Sequence, residues 1–229
     1  MKALFAETLR EKLLRAPPSA RRNYTVRGRP VYSRKLGRRF YVYLDAGYAM
    51  WLELEFDPSV VAFNMEPPPM TFGQDKDSDG IAMAAVSIDE ANRLTLHFTQ
   101  AAIDKSAKGA SLFEQMKASQ EIKVLGASIR IWTDLDDLDR LDRANKHTLL
   151  RYLCAPQVVV NAGIEKEILD KFKMVRTICL WDLLHIFTGR ADEEEVKTAL
   201  ANLIVSKQVF LDMTKRFALL SNISRHEIS

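Results

Sequence analysis

The sequence predicts an α+β protein built in two parts, and three observations predict it. Up to about residue 155, helical and period-two segments follow one another in the order helix, about three strands, helix, strand, helix. From residue 156 the pattern changes to three helical stretches followed by a strand pair. The composition suits a folded chain: of 229 residues, 47% are hydrophobic and 28% charged, and nine glycines and eight prolines are too few for a disordered or fibrous one.

Each element has a local reason. Residues 2–15 set Leu4, Phe5, Leu9, Leu13 and Leu14 on a rough helical stripe, which Pro17 and Pro18 end. A basic, polar stretch then runs to about residue 37, with Gly28-Arg29-Pro30 and Leu36-Gly37 as turn signals. A second helix is predicted over 45–55, with Asp45 as its N-cap and Tyr48, Trp51, Leu52 and Leu54 mostly facing the core. Phe56-Asp57-Pro58-Ser59 breaks it.

Short strands are predicted at 60–64 and 70–72, around a Pro67-Pro68-Pro69 run that cannot donate ladder hydrogen bonds. Residues 75–80 read as an exposed turn, and 81–88 with 94–99 as a hairpin through Asp89-Glu90-Ala91-Asn92. A helix over 111–123 and a buried strand over 127–132 follow. TDLDDLDRLDRANKHTLLRYL then opens a further helix, capped by Thr133 or Asp134, with acids in its first turn as the helix dipole favours.

Beyond 156, helices are predicted at 164–173, 178–187 and 193–206, the last capped by Asp192 after a tight connection at 188–192. KQVFLDMTKRFALLSNI reads as a hairpin turning near residues 213–215. Three helices and a wing make the winged-helix pattern, which serves DNA and protein partners alike. The expected domains are a helix and basic arm (1–40), an α/β domain (41–155) and a winged-helix-like C-terminal domain (156–229).

Cys154 and Cys179 lack CxxC spacing and have no histidines at zinc-finger intervals, so they read as reduced thiols. No apolar run approaches the roughly 20 residues of a membrane span. Glu7, Arg10, Glu11 and Lys12 interrupt any signal-peptide core. A cytoplasmic location with no membrane partner is expected.

The net charge of +3 hides an asymmetry: residues 1–40 carry twelve Lys or Arg and two Glu, about +10, leaving about −7 for the remainder. Arg21, Arg22, Arg27, Arg29, Arg34, Lys35, Arg38 and Arg39 are interleaved with Tyr24, Tyr32, Phe40 and Tyr41. Guanidinium groups suit bidentate phosphate contacts, so these eight cations are candidate DNA-binding residues, with affinity that falls steeply in salt. A solvated arm, or one that meets an acidic protein surface, is the alternative.

The segment YSRKLGRRFYVYLDAGYAMWLELEFDPSVVAFNMEPP, Tyr32 to Pro68, resembles the N-terminal part of TnsA-type transposon-end endonucleases. Tyr32-Ser33, Lys35, Gly37-Arg38, Ala49, Leu52, Leu54-Glu55 and Ser59-Val60 match that family's spacing without a gap. A looser likeness extends through the hairpin to FEQMKASQEIKVLGASIRIWTD and to the C-terminal part. The resemblance implies a restriction-endonuclease-like (PD-(D/E)xK-type) α/β/α core. It also implies three partners: double-stranded transposon-end DNA, a DDE transposase and an AAA+ ATPase regulator.

That family's chemistry needs a carboxylate on the first helix of the core, another on a hairpin strand, and a lysine on the next strand. The carboxylates hold divalent metal and the lysine assists water attack. Carried over residue by residue, the helix acid falls on Gly47, the strand aspartate most nearly on Ala82, and the terminal pair near His97 and Thr99. None of these positions keeps the needed group.

Substitutes are weak. Asp45 lies roughly 160° from Gly47 on a helical wheel and Glu55 is two turns away, about 80° off that face. Asp79 would need a register slip, and a lone His97 in a strand is the usual mark of a core or surface histidine. Glu121-Ile122-Lys123 spells ExK but ends a predicted helix. Asp134, Asp136, Asp137, Asp139 and Asp142 form the densest acidic cluster, yet Leu135, Leu138 and Leu141 take one side, which makes the acids a solvated, capped face.

Walker A, GxGxxG and GxSxG motifs are absent from the sequence, and His147, His185 and His226 are scattered. The expected function is a catalytically inactive TnsA-like subunit that binds transposon ends and scaffolds its partners. The alternatives are a nuclease with migrated ligands, which alone would need Mg²⁺ or Mn²⁺, and a winged-helix DNA-binding regulator.

Overall fold

Strong period-two segments pair as expected, and the polar N-terminal stretch pairs where no strand was expected. In a computed structural model of the chain, residues 2–15, 28–68, 82–105, 109–133, 140–154 and 162–225 are described. Among them the protein is mixed α+β, with nine helices and three small sheets. The strand expected at 70–72 and the turn at 75–80 lie outside the described residues, as do the cap proposed at Asp134 and most of the acidic cluster. The chain divides into two compact units, Met1–Asp136 and Asp137–Ser229.

In the first unit, α1 (Lys2–Leu14) is followed by an antiparallel ribbon of β1 (Gly28–Ser33) and β2 (Arg38–Tyr43). The arm expected to end at residue 40 is therefore paired backbone from 28 onward, and that boundary falls inside β2. Helix α2 (Leu44–Phe56) begins one residue before Asp45, with extended Tyr43 in the cap position and no side-chain cap. Asp45 sits instead in the first turn, where it ion-pairs with Arg29 at 2.7 Å.

Strands β3 (Val60–Asn64), β4 (Ala85–Asp89) and β5 (Leu94–Thr99) form an antiparallel meander. Asn92, at φ 60°, makes the β4–β5 turn in the left-handed conformation that asparagine tolerates. Helices α3 (Gln100–Asp104), α4 (Gly109–Ala118) and α5 (Gln120–Leu125) then carry the chain back to β6 (Ser128–Trp132), which pairs parallel to β5. A parallel pair requires such a crossover. The single helix expected over 111–123 is two, because Ser119 turns extended and its Oγ accepts from the Ile122 N–H as a new N-cap.

Leu94, Leu96 and Phe98 alternate onto one face of the sheet and pack with Val86 against Leu13, Ile103, Phe113, Met116, Ile122 and Leu125. Full burial of each such side chain stabilises by about 1.5–3 kcal/mol. The end of α1 is tied to the sheet by Asn64, whose Nδ2 donates to the carbonyls of Leu13 and Arg15 at 2.8 and 3.1 Å. Thr95, His97 and Thr99 alternate to the other face.

The second unit holds α6 (Arg140–Leu153), α7 (Ala162–Met174), β7 (Thr177–Cys179), α8 (Leu180–Ile186), α9 (Glu193–Val205), β8 (Val209–Leu211) and β9 (Asn222–Arg225). The sheet order is β7-β9-β8, antiparallel throughout. Residues 177–179, expected partly as helix, are strand, and Cys179 caps α8 by accepting from the Asp182 N–H.

The boundary expected at 155 lies instead at 136, because α6 packs on α9 within this unit. Thr198 Oγ1 donates to the Tyr152 carbonyl at 2.9 Å. Buried Asn145 donates to the carbonyls of Met213 and Lys215 and accepts from the Phe217 N–H, which holds the β8–β9 connection against α6.

Candidate functional site

Gly47 lies half-buried in α2, and a Cβ built there would meet nothing within 4 Å. Packing does not require glycine, and glycine inside a helix costs about 1 kcal/mol relative to alanine. The helix thus has room for a side chain at the position where the resemblance calls for an acid. Ala82 is exposed three residues before β4, while Asp79 and Ile81 lie outside the described residues.

His97 is 2% exposed and fully engaged. The Trp132 indole Nε1–H donates to its Nδ1 at 3.0 Å, which leaves Nε2 as the protonated nitrogen, 2.8 Å from Ser87 Oγ. Burial, with a smaller contribution from the Arg130 charge, pushes the imidazole pKa down to about 4, and Asp57 opposes the shift. The ring is neutral, donates to Ser87 rather than taking its proton, and has no lone pair left for a metal. Arg130 itself lies over the Trp132 ring, 4.0 Å from the centroid. Thr99 Oγ1 accepts from the Ala102 N–H and so caps α3.

The nearby carboxylates and lysine have other tasks. Glu55, 5% exposed, accepts from Ser33 Oγ at 2.6 Å and from the amides of Arg34 and Lys35 at 2.8 and 3.4 Å. It holds the β1–β2 turn onto the C-terminal end of α2. Lys35 folds back on the same helix end, donating to the Leu54 carbonyl at 2.7 Å and to that of Asp57. Burial lowers its pKa, and the charges of Glu55 and Asp57 offset part of the shift. Lys35, expected among the DNA contacts, is thus bound to the protein's own backbone.

The other cations expected to meet DNA separate into groups. Arg21, Arg22 and Arg27, with Tyr24, lie outside the described residues. Arg29 is exposed, pairs with Asp45 and approaches the Tyr48 ring at 5.2 Å, while Arg38 lies 5.9 Å from the Phe40 ring. An exposed pair such as Arg29–Asp45 is worth at most about 1 kcal/mol, so phosphate can compete for the arginine. Arg34 and Arg39 are exposed at the ribbon's turn and on β2.

Sequence reasoning missed Tyr43, which shares a ribbon face with Tyr41 and Tyr32. The signal was the alternation in Gly28-x-Pro30-x-Tyr32 and Arg39-x-Tyr41-x-Tyr43.

Among the described residues, no group of three or more His, Cys, Asp or Glu side chains could hold a metal ion. A glycine, an alanine, a doubly engaged imidazole and a capping hydroxyl supply no pair of hard oxygen ligands, so they do not fit Mg²⁺ or Mn²⁺. Glu121-Ile122-Lys123 is on helix α5, and Asp142 pairs with Lys146 at 2.7 Å. His147 and His185 are exposed on α6 and α8. Cys179 donates to Asp182 Oδ2 at 3.0 Å. Among the described residues no helix is long and apolar enough to cross a membrane.

Two units of helices and small sheets, the first with a basic ribbon, define a mixed α+β protein. Compared with known proteins, the chain matches no protein-family model and no curated protein.

Proposed function

We propose that the chain is a catalytically inactive TnsA-like subunit of a DNA transposition machine. It binds transposon-end DNA and scaffolds a DDE transposase and an AAA+ ATPase regulator. The observation that carries this reading is the occupancy of the nuclease positions within a matching succession of elements. Helix α2, the β3–β4–β5 meander, the helical crossover and β6 follow the order expected of a restriction-endonuclease-like core. At the positions of its acids and lysine stand Gly47, Ala82, the engaged His97 and the capping Thr99.

The order α7-β7-α8-α9-β8-β9 supports a winged-helix reading of the second unit. The third helix of that order, α9, is poorly suited to read DNA. It opens on Asp192-Glu193-Glu194-Glu195, buries much of its surface, and pairs Lys197 with Glu193 and Glu194. Protein docking by this unit fits better than a DNA-reading regulator, and DNA contact falls to the ribbon and the residues before it.

Replacing Arg29, Arg34 and Arg39 together with alanine is expected to weaken duplex binding similarly for all sequences. The slope of log K against log salt should fall by about 0.9 for each phosphate that is no longer neutralised. Lys35 is left intact because it supports the fold. Fluorescence anisotropy across a salt series measures this, and an unchanged slope would return the ribbon to a solvated surface.

Supercoiled plasmid is expected to stay intact with Mg²⁺ or Mn²⁺, with the protein alone and with transposase added. Nicking that disappears on Asp79→Ala or Asp45→Ala would establish the migrated-ligand nuclease instead.

A further inference from the structure

We infer that the outward face of the β1–β2 ribbon is a stacking platform for the unpaired bases of single-stranded DNA. The inference deepens the DNA-binding reading above and rests on it.

The register sets Tyr32 opposite Arg39, Pro30 opposite Tyr41 and Gly28 opposite Tyr43, all on one face. The other face carries Val31, Ser33 and Val42, which are buried, and Phe40, which meets Trp51 and Phe63 edge-on. The ribbon therefore already has an apolar face to anchor it, and its tyrosines are on the side turned to solvent. Tyr32 and Tyr41 are 41% and 43% exposed.

Glycine and proline opposite the two β2 rings leave the platform low. A Cβ at Gly28 would stand 2.8 Å from Tyr43 Cε1 and 3.1 Å from Tyr41 Cδ1, so both rings reach over bare backbone. Tyr41 and Tyr43 are two residues of strand apart, roughly 7 Å along the backbone, and their rings converge over Gly28. Tyr32 is the diagonal neighbour of Tyr41 across the ribbon, and Arg39 stands beside it.

Charge identifies the occupant. Residues 28–43 hold Arg29, Arg34, Lys35, Arg38 and Arg39 and no acid. Glu55 holds the turn from within, and Asp45 pairs with Arg29, which projects on the side away from the tyrosines. Cations alone would serve a duplex, whose base faces are covered by their neighbours. Exposed rings beside an arginine add what an unpaired strand needs, a surface for a bare base face next to a partner for its phosphate.

The test uses the full chain with a fluorescein-labelled oligothymidylate and a mixed-sequence duplex of matched length. The wild-type chain is expected to bind both. Tyr32→Ala with Tyr41→Ala should weaken oligothymidylate binding by at least about tenfold and leave duplex binding unchanged, because only the stacked bases lose their partner. Tyr32→Phe with Tyr41→Phe keeps both ring faces and should restore the affinity. Thermal melting checks that each variant is folded, and Tyr32→Ala alone, near the turn, serves if the double variant melts early.

Equal losses on both ligands, or no loss, would overturn the platform in favour of charge alone. Duplex binding without oligothymidylate binding would overturn it too while leaving the DNA-binding reading standing. Failure to bind either would overturn both.

Discussion

Glu55→Ala is expected to destabilise the protein by about 3–5 kcal/mol, a large part of the stability of an ordinary domain. The carboxylate is buried and serves the Ser33 hydroxyl and the amides of Arg34 and Lys35. The buried Ser33 hydroxyl left unsatisfied costs about 1–3 kcal/mol, the two part-buried amides add less, and the half-buried Lys35 ammonium loses a nearby negative charge as well. Glu55→Gln keeps an acceptor in place and should cost about half as much. Urea unfolding measures both, through a lower midpoint at unchanged slope. A loss below about 1 kcal/mol for the alanine variant would mean that the ribbon's turn is held by something else.

The second large effect is a dependence on pH set by His97. Its ordinary pKa of 6.5 falls to about 4 in the folded chain, because burial disfavours the imidazolium. As pH drops below 6.5 the unfolded chain takes up a proton that the folded chain refuses. The stabilisation is thus fully present above 6.5, is lost progressively down to about 4, and changes no further below that. A shift of this size corresponds to roughly 3 kcal/mol. His97→Gln can accept from Trp132 and donate to Ser87 without titrating, so the difference in unfolding free energy between pH 7.5 and 4.5 should shrink by most of that amount. An undiminished difference would place the pH sensitivity in other groups.

These two residues show what the sequence made legible. Helix α2, the β4–β5 hairpin and the three C-terminal helices were readable because their apolar periods and turn residues agree with their final setting. The strand at β6 was readable too, but not the burial expected of it: it is an edge strand with Ser128, Arg130 and Ile131 exposed and only Trp132 buried. The ribbon was not, because its code is inverted. Its buried face includes Ser33, its half-buried positions include Arg38, and its exposed face is tyrosine. Glu55 read as an off-face helix acid, since its partners stand about twenty residues away and no local pattern reports them.

Gly47, Ala82 and Thr99 were named only through the family resemblance, and the open space over Gly47 adds that packing does not demand a glycine there. His97 was weighed as a ligand or an ordinary core or surface histidine, and its two hydrogen bonds assign it to the core.

Asn145 carries a lesson for cutting the gene. A fragment starting at residue 156, where the sequence pattern changes, would begin after α6 and leave the Phe217 amide and the Met213 and Lys215 carbonyls without the side chain that joins them. It would also deprive Thr198 of the Tyr152 carbonyl and α9 of the helix it packs on. The compact unit that keeps these contacts together starts near Asp137, and a clone made to the shorter boundary would report the instability of its cut edge.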